Sequence, residues 1–351
     1  MNKKSIFNYS QEELAKSLEK GYQSKQIYNW IYKQYTHSFE DMSNIGKSLQ
    51  QDLINNYTFD GQEIIRKQES KDGSIKYLFK LKDAHTIETV LIQMKPADKQ
   101  SSPRYTICVS SQVGCKIGCK FCYTAKGGFI RNLEVGEIVY QVAKLKQDMN
   151  LEAHKAINIV FMGMGEPLDN FENVVQAIRI FSDKDGLNIA PARQTVSTSG
   201  ISPKIEKLGE LDLGINIAIS LHAVDDELRT KLMPINKAYN IKSVITAVKK
   251  FPIHHRKRLM FEYLVIKGLN DDIQSAKKLL TLLDGIKAKV NLILFNSHEG
   301  SEFQKPDIKK VQAIRDYLNS KGLVCTIRES KGEDISAACG QLKEQYKNKT
   351  E

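Results

Sequence analysis

From about residue 105 onward, short apolar runs rich in β-branched residues alternate with longer amphipathic stretches. The runs at 105–110, 157–162, 194–198, 215–221, 259–265 and 289–295 read as buried strands. The stretches at 134–147, 171–182, 203–210, 240–250, 271–283 and 307–320 carry a helical period, and a last strand follows at 323–328. Parallel strands joined by crossover helices predict an α/β fold, a partial (β/α)6 barrel. A doubly wound sheet is the competing architecture. No G-x-G-x-x-G follows the first strand, however, and there is no Walker A run.

Upstream the period changes. Ile75, Tyr77 and Phe79, then Ile87, Thr89 and Leu91, alternate as strands do, with Lys71-Asp72-Gly73-Ser74 as a turn. Residues 96–104 read as a loop. Ile27, Trp30 and Ile31 fall on one helical face that Ser24 could cap, and a second helix is expected at 47–56. The expected organisation is a helical accessory domain at 1–60 with a possible RNA contact, and a small β extension and linker at 61–104. The barrel then spans 105–330, and a C-terminal loop and polar tail span 331–351.

Composition narrows the class. With 41% hydrophobic and 26% charged residues the chain is globular, and no apolar run reaches membrane-span length. The basic start lacks an apolar segment of the signal-peptide kind, so a cytoplasmic protein is expected. A net charge of +11 favours a polyanionic partner, nucleic acid first. The most basic local run, His254-His255-Arg256-Lys257-Arg258, and Lys116, Lys120, Lys126 and Arg131 around the cysteine run are candidate phosphate contacts. No repeat or exposed heptad is evident, so a monomer is expected.

Six cysteines are too few for a disulfide scaffold in a chain of 351 residues. Three of them, Cys115, Cys119 and Cys122, form a C-x3-C-x2-C run. Three thiolates on one loop suit a cubane iron–sulfur cluster with one iron left open, and no second C-x2-C exists to complete a zinc site. Most polar signatures fall at C-terminal strand ends, where α/β barrels carry their sites. Gly163-Met164-Gly165-Glu166-Pro167-Leu168 follows the second strand, and Glu166 could accept a hydrogen bond from an amine. Ser197, Ser220, His222 and Asn296 follow later strands. Cys339 lies in a small-residue stretch after Gly332 that reads as a loop, Cys108 lies near the mouth of the first strand, and Cys325 reads as core.

The C-x3-C-x2-C run is that of the radical S-adenosylmethionine superfamily. More narrowly, the chain resembles the bacterial dual-specificity methyltransferases that act on adenine C2 in 23S rRNA and tRNA. The resemblance is carried by Ile107–Cys115, Gly127–Leu133, Gly163–Leu168, Leu232–Asn236 and Asp334–Leu342. It implies that Cys115, Cys119 and Cys122 ligate one 4Fe-4S cluster. It also implies that Gly165, Glu166, Ser197, Ser220, Leu221, His222 and Asn296 bind S-adenosylmethionine. Cys339 matches the cysteine that is itself methylated, Cys108 its disulfide partner, and Glu88 a carboxylate assigned as proton acceptor. Two S-adenosylmethionine molecules would be used per turnover: one methylates Cys339, and one is cleaved to the radical that activates that methyl group for addition to C2.

The implied partners are immature or protein-free 23S rRNA, tRNA with its adenosine 3′ of the anticodon, a flavodoxin- or ferredoxin-type electron donor and a thiol reductant. Two departures from the family pattern stand out. The stretch between Glu88 and Cys108 is longer, and Leu294–His298 lacks a Trp-Asn-Pro run. The competing assignments are the related adenine-C8 methyltransferase that confers antibiotic resistance and a non-enzymatic cluster protein that binds RNA or senses redox state. Pro167 favours C2, because alanine tends to stand there in the C8 enzyme.

Overall fold

The structure is a computed structural model that describes residues 3–59, 62–94, 104–151, 157–254, 257–296 and 301–342. Its centre is a ten-stranded sheet whose spatial order follows the chain. The strands are β1 (Glu63–Glu69), β2 (Ile75–Lys80), β3 (Thr86–Met94), β4 (Arg104–Cys108), β5 (Ile157–Phe161), β6 (Gln194–Thr198), β7 (Asn216–Ser220), β8 (Leu259–Val265), β9 (Ala288–Leu294) and β10 (Val324–Arg328). Pairing is antiparallel from β1 to β4 and parallel from β4 to β10. The six expected barrel strands and the seventh at its end therefore form one parallel array, open because β1 and β10 are not neighbours. The helices between them include Val135–Asp148, Phe171–Ser182, Ser202–Glu210, Ile241–Lys249, Ile273–Leu282 and Ile308–Ser320, within a residue or two of the periodic stretches.

The β extension is part of this sheet, because β3 pairs with β4. The alternation that marked it becomes cross-strand pairing: Ile75 opposes Leu91, Tyr77 opposes Thr89 and Phe79 opposes Ile87. That face lies against helix Val135–Asp148, where Tyr77 donates to Asp148 at 2.8 Å and Thr89 donates to Gln141 at 2.7 Å. The opposite face carries Lys76, Glu88 and Val90. Val90 opposes Cys108, so this face continues into the barrel interior.

In the N-terminal helices Ile27 and Ile31 are buried as expected, and Lys47–Asn56 forms the second helix. The helix containing them runs Tyr22–Tyr32, one turn further upstream than expected, and its N-cap is Gly21. Ser24 is therefore an interior residue. Its hydroxyl donates back to Gly21 O at 2.7 Å and accepts from Gln11 at 3.0 Å. Phe7 packs edge-on against Tyr140 of helix Val135–Asp148, which joins this region to the barrel's hydrophobic core.

Candidate active site

The three-cysteine loop is held by its own neighbourhood. Strands Gln112–Gly114 and Phe129–Asn132 pair antiparallel beneath it, and Cys115 N–H donates to Gly128 O at 2.7 Å. Cys122 N–H donates to Cys119 O at 3.1 Å, and Cys122 is the N-cap of a one-turn helix, Tyr123–Lys126. Gly165 sits directly against this hairpin at φ 101°, where a Cβ would fall 2.5 Å from that of Gln112. The glycine thus serves packing against the hairpin as well as any approach of a ligand.

All three thiols line one cavity, and Cys115 and Cys119 both feel the charge of Cys122. Burial pushes Cys115 up to about 12, Cys119 well above the usual thiol range and Cys122 upward. Among the described residues no group of three or more His, Cys, Asp or Glu side chains closes around a single ion position. Three thiols on the wall of one cavity suit a cluster in which each thiolate takes a different iron.

The same cavity is lined by Gly165, Glu166, Ser197, Ser220, His222 and Asn296, brought together from four strand ends. Leu221 is fully buried beside it without lining it, its N–H held by Glu262 O at 3.0 Å. The Glu166 carboxylate accepts from Ser199 N–H at 2.7 Å and Leu168 N–H at 3.1 Å, so it ties two strand ends together. Burial pushes that carboxyl upward, and these donors oppose the shift. His222 adopts φ 60°, and its Nδ1 accepts from Leu264 N–H at 3.0 Å, which leaves Nε2 as the protonated nitrogen. Burial, with Arg229 nearby, lowers His222 to about 3, so the ring is neutral at physiological pH. Phe121 of the cysteine loop packs edge-on against it, ring centres 4.9 Å apart.

A second cavity lies deeper along the strands. Cys108, on the β4 wall, lines it together with Thr106, Thr195, Met260 and Asn291. Cys339, Met162, Glu262, Ile293, Asn296 and Arg328 line both cavities. Cys108 and Cys339 are free thiols that face the same space, and burial raises Cys108 to about 12 with the Cys339 charge adding to the effect.

Cys339 is delivered by a segment with little regular structure. Tyr123 N–H donates to Gly340 O at 2.7 Å and Thr124 donates to Leu342 O at 2.7 Å, so the segment is stitched to the cysteine loop. Glu88 lines neither cavity. It is buried on the Cys108 face in an ion pair with Lys76 at 2.9 Å, and Lys76 also donates to Ser336 O at 3.3 Å. Cys325 is buried in the core, as expected.

Sequence reasoning missed Glu262, Arg328 and Met162. The signal was there: Glu262 interrupts the apolar run Met260-Phe261-Glu262-Tyr263, and Arg328 ends the last strand. Of the candidate phosphate contacts, Arg131 is engaged bidentately by Glu137 and by Asp83 at 2.6 Å, and Lys116 pairs with Asp169 at 2.6 Å. Within the basic run His255 and Arg256 lie outside the described residues, and Lys257 donates to Gly214 O at 2.9 Å. Among the described residues no helix is long and apolar enough to cross a membrane.

Residues 109–280 match the radical SAM superfamily, and residues 6–58 match the ribosomal RNA large subunit methyltransferase N-terminal domain. The chain is 60% identical over 345 residues to the dual-specificity RNA methyltransferase RlmN of Wolinella succinogenes, covering 97% of this chain and 96% of that one. It is 58% identical over 352 residues to the protein of the same name from Aliarcobacter butzleri, covering 98% and 97%. A solved radical SAM methyltransferase from Sphaerobacter thermophilus shares the fold with a TM-score of 0.89 at 36% identity, covering 97% of this chain and 100% of that one.

Proposed function

The chain belongs to the RlmN family of dual-specificity RNA methyltransferases within the radical S-adenosylmethionine superfamily, and from that premise we propose that it methylates C2 of adenosine in 23S rRNA and in tRNA through a methyl group carried on Cys339. The observation that supports this reading most is the position of Cys339 on the wall shared by two cavities, one holding the three-cysteine loop and the other holding Cys108. A residue that must meet a methyl donor on one side and a base on the other needs such a place.

Cys115, Cys119 and Cys122 would hold the 4Fe-4S cluster. Gly165, Glu166, Ser197, Ser220, His222 and Asn296 would bind S-adenosylmethionine, with Leu221 buttressing them. Bound together, the two groups supply one-electron chemistry that generates a carbon radical. Two S-adenosylmethionine molecules per turnover follow, since the methyl group on Cys339 and the radical have separate sources. The C2 proton goes either to Glu88, which lies on the Cys108 face with Lys76 as its countercharge, or to Cys108 itself. Cys108 closes on Cys339 to release the methylated base, and a thiol reductant then reopens the disulfide. The base must leave its stack to reach this interior.

The test is anaerobic reconstitution with iron, sulfide, reductant and S-adenosylmethionine, followed by mass spectrometry of digested nucleosides from 23S rRNA fragments and tRNA. 2-Methyladenosine is expected from both RNAs. 8-Methyladenosine would overturn the regiochemistry and keep the radical chemistry.

A further inference from the structure

Inside the barrel one carboxylate is only half satisfied. Glu262, in the middle of β8, is 3% exposed and lines both cavities beside Cys339. Asn291 Nδ2 donates to its Oε1 at 2.8 Å, and Thr326 Oγ1 donates to Asn291 Oδ1 at 2.9 Å, which fixes the amide with its donor toward the carboxylate. Oε2 has no hydrogen-bond partner among the described residues. Arg328 Nη1 stands 3.9 Å from it and donates to Met162 Sδ at 3.3 Å. A relaxed ion pair would close to about 2.8 Å. This one is held apart, Glu262 by Asn291 and Arg328 by Met162, so an acceptor and a donor lie side by side in the wall that both cavities share. A buried acceptor without a donor is costly, and such groups mark places where a ligand completes the bonding.

We infer that Glu262 and Arg328 read the target base, with the unpartnered side of the Glu262 carboxylate accepting from the 6-amino group of adenine and Arg328 donating to N1. The inference rests on the adenine-C2 reading above. Adenine presents a donor next to an acceptor along this edge, the complement of Oε2 beside Nη1. Guanine presents the reverse order, an oxygen beside an N–H, and would set like against like at both positions. Cytosine shares the donor–acceptor order but has a carbonyl oxygen where the reacting C2–H would be. The geometry also orients the ring. C2 is bonded to N1, so a base held by Arg328 at N1 turns C2 toward the guanidinium, and Cys339 and Cys108 line the same cavity as that guanidinium.

The test uses the reconstituted holoenzyme and two RNA hairpins, one with adenosine at the target position and one with purine riboside, which lacks only the 6-amino group. Competition binding and kcat/KM for methylation are measured for both hairpins with the wild-type protein and with Glu262→Gln. The wild type is expected to favour adenosine by about 10- to 100-fold in both measurements, the range for a hydrogen bond to a charged group. In Glu262→Gln the Asn291 donor draws the new carbonyl to the Oε1 side and leaves an NH2 facing the base, so the preference should collapse or invert.

Equal handling of the two hairpins by the wild type would overturn the inference. So would a Glu262→Gln protein that keeps the preference while raising KM for S-adenosylmethionine. Should that variant not fold by circular dichroism, the wild-type pair of measurements decides alone. Absence of any methylation on the adenosine hairpin would count against the proposed function itself, a distinguishable failure.

Discussion

Two cysteine-bearing segments meet at the centre of this molecule, and they are ordered by different means. The loop at 115–122 is built from local pieces: a hairpin beneath it, a capped helical turn after it, and a glycine wedge from the next motif. The segment at 332–342 has only a three-residue 3-10 turn of its own, Glu333–Ile335, with left-handed residues on either side, Gly332 at φ 67° and Ser336 at φ 53°. Its order is borrowed. Ser70 donates to Asp334 at 2.6 Å, Lys71 N–H to the same carboxylate at 3.1 Å, and Gly332 N–H to Asp72 at 2.9 Å, all across the turn between β1 and β2. A rigid loop suits a metal centre, whose ligands must not move. A segment whose order comes from hydrogen bonds to other parts of the chain suits a residue that must react first on one side and then on the other.

The sharpest way to break the comparison is to remove one cysteine from each segment. Cys115→Ala should lose iron on reconstitution and with it all cleavage of S-adenosylmethionine. Cys339→Ala should keep its iron content, measured by colorimetric assay and absorbance, and lose methylated RNA entirely. Equal iron loss in both variants would show that the two segments form one unit.

The same contrast explains what could be read from the sequence. The cysteine loop and the strand-end motifs were legible because each is a contiguous run whose spacing serves one purpose, and the parallel strands announce themselves as apolar runs. The barrel interior was not legible in the same way. Glu262, Asn291, Thr326 and Arg328 come from three strands and share a wall only because the registers of β8, β9 and β10 align them, Glu262 opposite Asn291 and Asn291 opposite Thr326. The clasp from the β1–β2 turn to Asp334 spans more than 260 residues of chain. Ser24 misled for the opposite reason: a residue with capping chemistry lies within the helix and bonds back to Gly21.

The next effect is energetic. Lys76 and Glu88 are each 2% exposed and bind one another beneath the Cys339 segment. Lys76→Met removes the countercharge of a buried carboxylate and should cost about 3–5 kcal/mol in urea denaturation. The double variant Lys76→Met/Glu88→Leu should recover most of that loss. If both variants were equally destabilised, the packing of Lys76 rather than its charge would be the source.

Acid separates the two segments next. His222 lies on the cysteine-loop side, against Phe121, and its folded value of about 3 lies below the ordinary value of 6.5. The unfolded chain therefore binds the proton first. The contribution of His222 is full above about pH 6.5 and falls as the pH drops toward 3, with on the order of 2 kcal/mol of it lost by pH 5. His222→Asn, which tolerates the left-handed backbone, should flatten the change in thermal midpoint between pH 7 and pH 5.

The smallest effect belongs to the clasp. Burial works against the Asp72 carboxylate, but donors from Gly332, Ser74 and Ser70 outweigh it and hold the group below its ordinary range, and Ser70 with Lys71 N–H lowers Asp334 likewise. Both contribute above the ordinary carboxylate range and lose that contribution as the pH falls through their lowered values, so acid below that range weakens the clasp. At neutral pH Asp72→Ala removes the acceptor for Gly332 N–H and should open the segment by about 1–2 kcal/mol. That corresponds to roughly a tenfold rise in amide hydrogen exchange across 332–338, with exchange at 112–122 unchanged. If both segments exchanged faster together, the bonds from Tyr123 and Thr124 to Gly340 and Leu342, rather than the β1–β2 turn, would be what orders the segment that carries Cys339.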